Sequence, residues 1–325
     1  MVAVWGRHHE FGDISWLPAQ GKVVLRKDDR INVSTPGDGA NNFLAFRPKP
    51  AAEIIHGREE EDRLQDEGSD DAICQAPRVQ SPVFKEEGFG FTNDGESFTG
   101  YPVVGYQHRI QASDACQDVL EEEEEHDCLY LWDPVALSNA TAFIKDVMRL
   151  WDRNQKAFCG IDLYMGILFR YVTVSTAYLG EAEDSIVLDI AYYRSRVEGR
   201  LVVHANVFDE LEQMALYKYG RRPHWGKNRN SAFNDTVGRY PRLGEFLEVK
   251  ARFDPDGVFS SEWSDQVLGV EGSAISMVPG CTVEGLCTCT DDAHCAPGYV
   301  CSSGKVYPDA RVCSAVQPQG ATAQL

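Results

Sequence analysis

Six cysteines fall between Cys281 and Cys313, spaced Cys281-(x5)-Cys287-x-Cys289-(x5)-Cys295-(x5)-Cys301-(x11)-Cys313. Gly, Pro, Asp and Ser fill the gaps. Such a segment has too few apolar residues for a core of its own, so covalent cross-links must replace one. Zinc is the competing reading, with His294 beside Cys295 as a further ligand, but the paired C-x2-C knuckles of zinc modules are missing. A small disulfide-stapled C-terminal tail is expected, with no metal. Fifteen pairings of six cysteines are possible, and spacing does not choose among them.

The chain carries ten cysteines in 325 residues. Cys116 and Cys128 flank an acid run, and a disulfide closing that loop is expected. N-x-S/T sequons at Asn32, Asn139 and Asn234 agree with an oxidising secretory route. Residues Met1 to Glu10 lack the charged and apolar regions of a secretory signal. A chain without the N-terminal part of its protein reconciles these two facts. The expected location of the full-length protein is extracellular or secretory, with membrane association open. No stretch is apolar enough for long enough to span a bilayer.

The net charge is −19, and two segments supply −14 of it. Residues 58–71 hold eight acids and two arginines, and residues 114–127 hold eight acids with no Lys or Arg. Both are expected to be solvated acidic loops. Glu121 to Glu125 lack the spaced oxygen ligands of a calcium loop. Nothing is basic enough for a nucleic-acid partner.

Residues 8–50 read as strands and turns, with Val23-Val24-Leu25 a short strand. Residues 138–152 have helical period, and 160–178 read as one or two strands. Ser185 to Arg194 is a strong strand. Ile186, Leu188, Ile190 and Tyr192 share one face, and Val187, Asp189, Ala191 and Tyr193 the other. Helices follow at 205–219, with Gly220 as C-cap, and at 242–253. The fold class is therefore α+β, an antiparallel sheet covered by helices on one face. Residues 1–275 form the main domain and 276–325 the cysteine-rich extension. No dinucleotide fingerprint, phosphate loop, nucleophile elbow or zinc-protease motif occurs.

The run Arg222-Pro223-His224-Trp225-Gly226-Lys227-Asn228 carries the chemistry. Pro223 pushes Arg222 out of helix. Gly226 lets the backbone approach something closely. A ring that hydrogen-bonds, a flat apolar surface and a fixed positive charge suit a flat, electron-accepting cofactor. Taken alone, the run could equally be a surface turn with a half-buried Trp.

Several separated stretches resemble the aldonolactone oxidoreductases. They are His9-Glu10-Phe11-Gly12-Asp13, Leu163 to Leu168, Asp189 to Ser195, Pro223 to Arg229, Phe253-Asp254-Pro255-Asp256-Gly257 and Ser261 to Gln266. The tail from Cys281 to Cys289 resembles the plant L-gulonolactone oxidase-like subgroup. The resemblance implies the cap, or substrate, domain of a vanillyl-alcohol oxidase-type flavoprotein, with a C-terminal domain of the D-arabinono-1,4-lactone oxidase type. It implies FAD, most of it bound by an N-terminal domain that nothing in residues 1–325 matches. The isolated chain is therefore expected to bind FAD weakly and not to oxidise lactones. The implied reaction oxidises an aldono-1,4-lactone with oxygen, in an ascorbate-type pathway.

The resemblance makes Lys227 the cation that stabilises a reduced, anionic flavin. His224 becomes a hydrogen-bond partner of substrate or flavin with possible general-base help, and Trp225 a wall. Relatives place an acid and an arginine on a strand facing substrate. Asp189 and Arg194 are the nearest candidates, although their spacing puts them on opposite faces. Glu262 and Trp263 are expected to support the fold. The competing functions are a non-enzymatic secreted module that kept sugar binding, and a cysteine-rich binding protein.

Overall fold

The structure is a computed structural model. It describes residues 2–37, 49–69, 74–80, 91–93, 98–100, 104–106, 128–163, 166–193, 195 and 197–316. The chain divides into two compact units. The first takes Met1–Tyr130, Trp151–Tyr171 and Val187–Arg194, and the second takes Leu131–Leu150, Val172–Ile186 and Ser195–Leu325.

In the first unit, helix α1 (Val2–His8) leads into strand β1 (Phe11–Leu17). A 3-10 turn at Pro18–Gln20 reverses the chain, and Gly21 (φ 60°) closes it into strand β2 (Lys22–Asp28). Proline suits the first position of such a turn, and a left-handed residue after it favours glycine. β1 pairs antiparallel with β2 and with β6 (Ile167–Val172). The sheet order is β2-β1-β6-β7-β5, with β7 Ser185–Tyr193 and β5 Cys128–Ala136, of which Cys128–Tyr130 fall in this unit. β2 alternates half-buried and exposed, as an edge strand should, and leaves Val23 and Leu25 exposed. Every residue from Ser185 to Ala191 is buried, so β7 is covered on both faces. The two-faced alternation expected of it therefore does not separate core from solvent. Ile14, Leu17, Phe158, Ile161, Leu163 and Ile167 make the core, with Trp16 against Phe158 at 6.1 Å. Gly166 (φ 76°) is required: a Cβ there would lie 2.4 Å from the Trp16 carbonyl oxygen.

The first acidic segment is helical through Asp66, and Asp70 and Asp71 lie outside the described residues. Lys49–Asp66 is an 18-residue helix, α2, followed by α3 (Ala76–Gln80). Gly57, Glu61 and Leu64 recur at helical spacing, and Gly57 and Leu64 are buried. Glu61 accepts the Ile161 N–H at 2.6 Å, and Arg58 pairs with Asp162 at 3.4 Å. A Cys74–Cys159 disulfide ties the same region. A run rich in charge can still fold when one stripe docks and the other charges face water. The second acid run and Cys116 lie outside the described residues. A short hairpin, β3 (Phe91–Asn93) with β4 (Phe98–Gly100), completes what is described here.

In the second unit, helix α4 (Ala140–Arg153, its last three residues in the first unit) buries Phe143, Val147 and Leu150. Asp146, also buried, accepts hydrogen bonds from Lys218 at 2.5 Å, Tyr219 at 2.7 Å and Arg149 at 2.6 Å. Burial works against its charge, but the Lys218 and Tyr219 bonds outweigh it and hold the carboxyl below the usual range. Asp146→Asn should cost about 2 kcal/mol in urea unfolding at pH 7, because charge-assisted bonds become neutral ones. The cost should shrink as pH falls through the depressed native pKa, where wild type loses the same charge.

Helix α5 (Ala205–Gln213) runs into a π-helical segment, Met214–Lys218. Helix α6 spans Leu243–Phe253. Helix α7 (Glu262–Leu268) starts with a capping box of Ser261 and Ser264 and ends at Gly269. The cysteine-rich tail is a module of three disulfides, Cys281–Cys287, Cys289–Cys301 and Cys295–Cys313. Its hairpin pairs β8 (Tyr299–Ser303) with β9 (Arg311–Ala315). Sγ atoms of Cys289, Cys295 and Cys313 cluster closely, but each is already in a disulfide and offers no thiolate.

Candidate functional site

The π-helical segment widens the last turn of the α5 helix and carries Leu216 into the core. Gly220 is left-handed (φ 67°), as a C-cap glycine should be. The Arg221 N–H then bonds back to the Leu216 carbonyl at 2.9 Å, which ends the helix. Arg222 is buried and fully engaged. It pairs with Glu181 at 2.7 Å, donates to the Gly180 carbonyl at 3.0 Å and stacks over Tyr240 at 4.6 Å. Pro223 follows, also buried.

Residues 224–228 form a closed turn. The N–H groups of Lys227 and Asn228 both reach the His224 carbonyl at 3.2 Å. The His224 N–H donates to the Asn228 side-chain oxygen at 2.8 Å, and the Gly226 N–H donates to His224 Nδ1 at 3.1 Å. The last bond decides the tautomer. With Nδ1 accepting, the neutral ring carries its proton on Nε2. Burial, and then the Lys227 charge, push the His224 pKa below its usual value. His224 is thus neutral at pH 7 and presents an N–H. Taking up a proton would place a hydrogen on Nδ1 and break the bond that shapes the turn.

Gly226 is exposed, and a Cβ there would meet nothing closer than the His224 ring at 3.9 Å. Among the described residues, no neighbour of its own chain requires glycine at this position. Trp225 is half-buried. Its ring lies 5.5 Å from Tyr240 and 6.2 Å from Phe233, and its carbonyl accepts the Trp263 indole N–H at 3.3 Å. Trp225, Phe233 and Trp263, with Leu216, Tyr217, Ala232, Val267 and Ala274, form a cluster that carries the turn. Trp263 does the supporting work expected of it. Burial first of all pushes the Tyr240 hydroxyl up to about 12, so it stays protonated. Lys227 is half-buried in the same turn.

Beneath the turn, Asn228 and Arg229 are buried. Arg229 reaches Asp209 at 2.6 Å and Glu212 at 2.9 Å, and Asn228 donates to Glu212 at 3.1 Å. Gly285 of the C-terminal module packs on the Arg229 side chain so closely that a Cβ would lie 2.5 Å from it. Sequence reasoning did not single out Asp209 or Glu212. A signal existed: Asp209-Glu210-Leu211-Glu212-Gln213 puts four polar residues in little more than one helical turn, so some must face inward. A small cleft opens between the α5 helix and the module. Asp209, Glu212, Arg229 and Arg311 line it, and His224 and Lys227 do not.

Asp189 belongs to the first unit. Asp189 is buried on β7, 3.6 Å from the Arg170 guanidinium. Arg194 lies outside the described residues. The structure therefore brings together His224, Trp225 and Lys227, and places Asp189 in a separate charge pair.

Two family models match. The one described as D-arabinono-1,4-lactone oxidase covers residues 134–267, and the one described as L-gulonolactone oxidase 2-like, C-terminal domain, covers 278–315. The chain is 43% identical over 330 residues to L-gulonolactone oxidase 2 of Arabidopsis thaliana, covering 97% of this chain and 56% of that protein. To L-gulonolactone oxidase 5 of the same plant it is 42% identical over 327 residues, covering 96% and 55%. The chain thus spans about half the length of these curated relatives. It is also 44% identical over 235 residues to the probable truncated L-gulonolactone oxidase 7, mitochondrial, of Arabidopsis thaliana, covering 67% of this chain and 92% of that protein. The residues that fold into the His224–Asn228 turn and the three-disulfide module both lie within these matches, and the chain belongs to the L-gulonolactone oxidase family.

Proposed function

We propose that this chain is the substrate-domain part of an FAD-dependent oxidase of aldono-1,4-lactones, such as L-gulono- or D-arabinono-1,4-lactone, with oxygen as final acceptor in an ascorbate-type pathway. The observation that carries the reading is the closed turn, which pins the backbone of Lys227 and orients a neutral imidazole N–H within four residues. That donor set fits the electron-rich carbonyl edge of a flavin or the oxygens of a lactone. When bound, the flavin supplies the two-electron acceptor for the substrate C–H.

The chain's residues supply orientation and charge. Lys227 sets a positive charge where negative charge develops, which favours the transition state over the ground state. His224 donates through Nε2 and is not the base, because its Nδ1 is committed to Gly226. Asp189 and Arg194 are the remaining candidates for substrate contact on the sheet. In this reading residues 1–275 make the cap domain and 276–325 the extension. Four disulfides among the described residues suit an oxidising compartment, so we place the protein on the secretory route. Among the described residues no helix is long and apolar enough to cross a membrane.

The test is a form with the length of the relatives, purified and given L-gulono-1,4-lactone. Flavin absorbance with lactone-dependent oxygen uptake is expected. Lactone binding by a colourless protein would instead support a sugar-binding protein without redox chemistry.

A further inference from the structure

We infer that Glu212 is a positioning residue for the candidate site: through Asn228 it fixes the turn that presents His224 and Lys227. The inference rests on the active-site reading of that turn. Glu212 touches neither ring nor ammonium in the bonds described, so its action is indirect.

The linkage is short. The Glu212 side chain is buried, with 3% of its surface exposed, as are Asn228 (6%) and Arg229 (7%). Glu212 Oε1 accepts from Asn228 Nδ2 at 3.1 Å. The other end of the same amide, Asn228 Oδ1, accepts the His224 N–H at 2.8 Å. One amide therefore joins a helix carboxylate to the first residue of the turn. Glu212 Oε2 holds Arg229 at 2.9 Å, one residue past the turn. Each oxygen of the carboxylate thus fixes a consecutive residue, and bonds to a charged acceptor are the stronger kind.

The support itself cannot drift. Glu210, two positions earlier on the helix, accepts the N–H groups of Lys305, Val306 and Tyr307. Gln213, one later, exchanges two bonds at 2.9 Å with the Arg311 backbone. The disulfide module thus grips the helix that carries Glu212. Its role in this reading is to brace the site, and not to recognise a partner. Positioning of this kind matters because displacement of about 1 Å can cost on the order of a hundredfold in rate.

The readout is His224 itself. Its environment, burial and the nearby Lys227, keeps its pKa below the usual value. A loosened turn would hydrate the ring and raise the midpoint. Losing the Glu212 charge alone would act oppositely, since removing a negative group disfavours imidazolium. The 325-residue chain, labelled at histidine Cε1, is titrated by NMR, with His224→Gln assigning the signal. Glu212→Ala should raise the His224 midpoint by about half a pH unit or more. Asn228→Ala, which spares the buried Glu212–Arg229 pair, should do the same and serves if Glu212→Ala does not fold. Glu212→Gln keeps an oxygen for Asn228 and should leave the midpoint at or below the wild-type value. An unmoved midpoint in Glu212→Ala or Asn228→Ala would overturn the inference, as would equal upward shifts in the Ala and Gln variants of Glu212. In a form of the relatives' length, Glu212→Ala should lower kcat about tenfold with KM little changed. A shifted His224 signal with unchanged turnover would keep the linkage and sink the active-site reading of the turn.

Discussion

Lys227→Met, in a form of the relatives' length, is expected to slow anaerobic reduction of the flavin by lactone about a hundredfold, with lactone affinity changed little. Methionine keeps the length and apolar stem of lysine and deletes the charge, so shape is nearly conserved. One preorganised group aimed at developing charge typically contributes a factor of 10² to 10³. The structure gives this lysine the surroundings such a role needs. It is half-buried and its backbone is pinned to His224. The same substitution has a second consequence in the 325-residue chain. Lys227 is the second cause of the depressed His224 pKa after burial, so the His224 midpoint should move up towards its usual value. The kinetic result would be read by stopped-flow bleaching of the flavin band. An unchanged rate would remove Lys227 from the site.

The turn was legible in sequence because its information is local. Pro223, the spacing of His224 and Lys227, and Gly220 as a helix stop are each short-range signals. Their geometry, Nδ1 accepting from Gly226, is also local but depends on one rotamer, and no residue pattern announces it. The helices at 140–153, 205–213 and 243–253 followed their periodicity. The π-helical end of the 205–219 segment did not show, since a one-residue widening leaves the apolar spacing almost unchanged. Cysteine spacing announced the module and left its pairing open, because pairing is settled by tertiary contact. Trp225 looked like a surface for a ligand, and Tyr240 and Phe233, 15 and 8 positions away, pack against part of its ring. The acidic segment 58–71 misled most. Charge density predicted solvation, whereas Gly57, Glu61 and buried Leu64 form a stripe whose first two residues meet Ile161.

That docked stripe carries the largest expected effect on stability. Glu61→Gln should make the protein more stable at pH 9 by on the order of 3–5 kcal/mol, with little change at pH 4. Burial pushes the Glu61 carboxyl up to about 8, and the neighbouring Asp162 adds to the rise, with Asp62 a minor contribution in the same direction. The Ile161 N–H and the Arg58 guanidinium oppose the rise without cancelling it. Arg58 is itself shared with Asp162 at 3.4 Å. The sign follows from proton counting. Between the unfolded value of 4.5 and about 8, the folded chain keeps a proton that the unfolded chain has released. Stability therefore falls as pH rises through that window, by about 1.4 kcal/mol per unit, and levels off above it. Buried Asp13, also raised chiefly by burial, acts with the same sign, so the wild-type decline should begin near pH 4. Glutamine offers the same oxygen to Ile161 and never ionises, so its urea midpoints between pH 5 and 9 should be nearly flat where wild type declines. Parallel curves would mean that Glu61 is ionised in the folded chain at neutral pH, its charge carried by Arg58. The acidic helix would then be held to its turn by an ion-pair network instead of a protonated carboxyl.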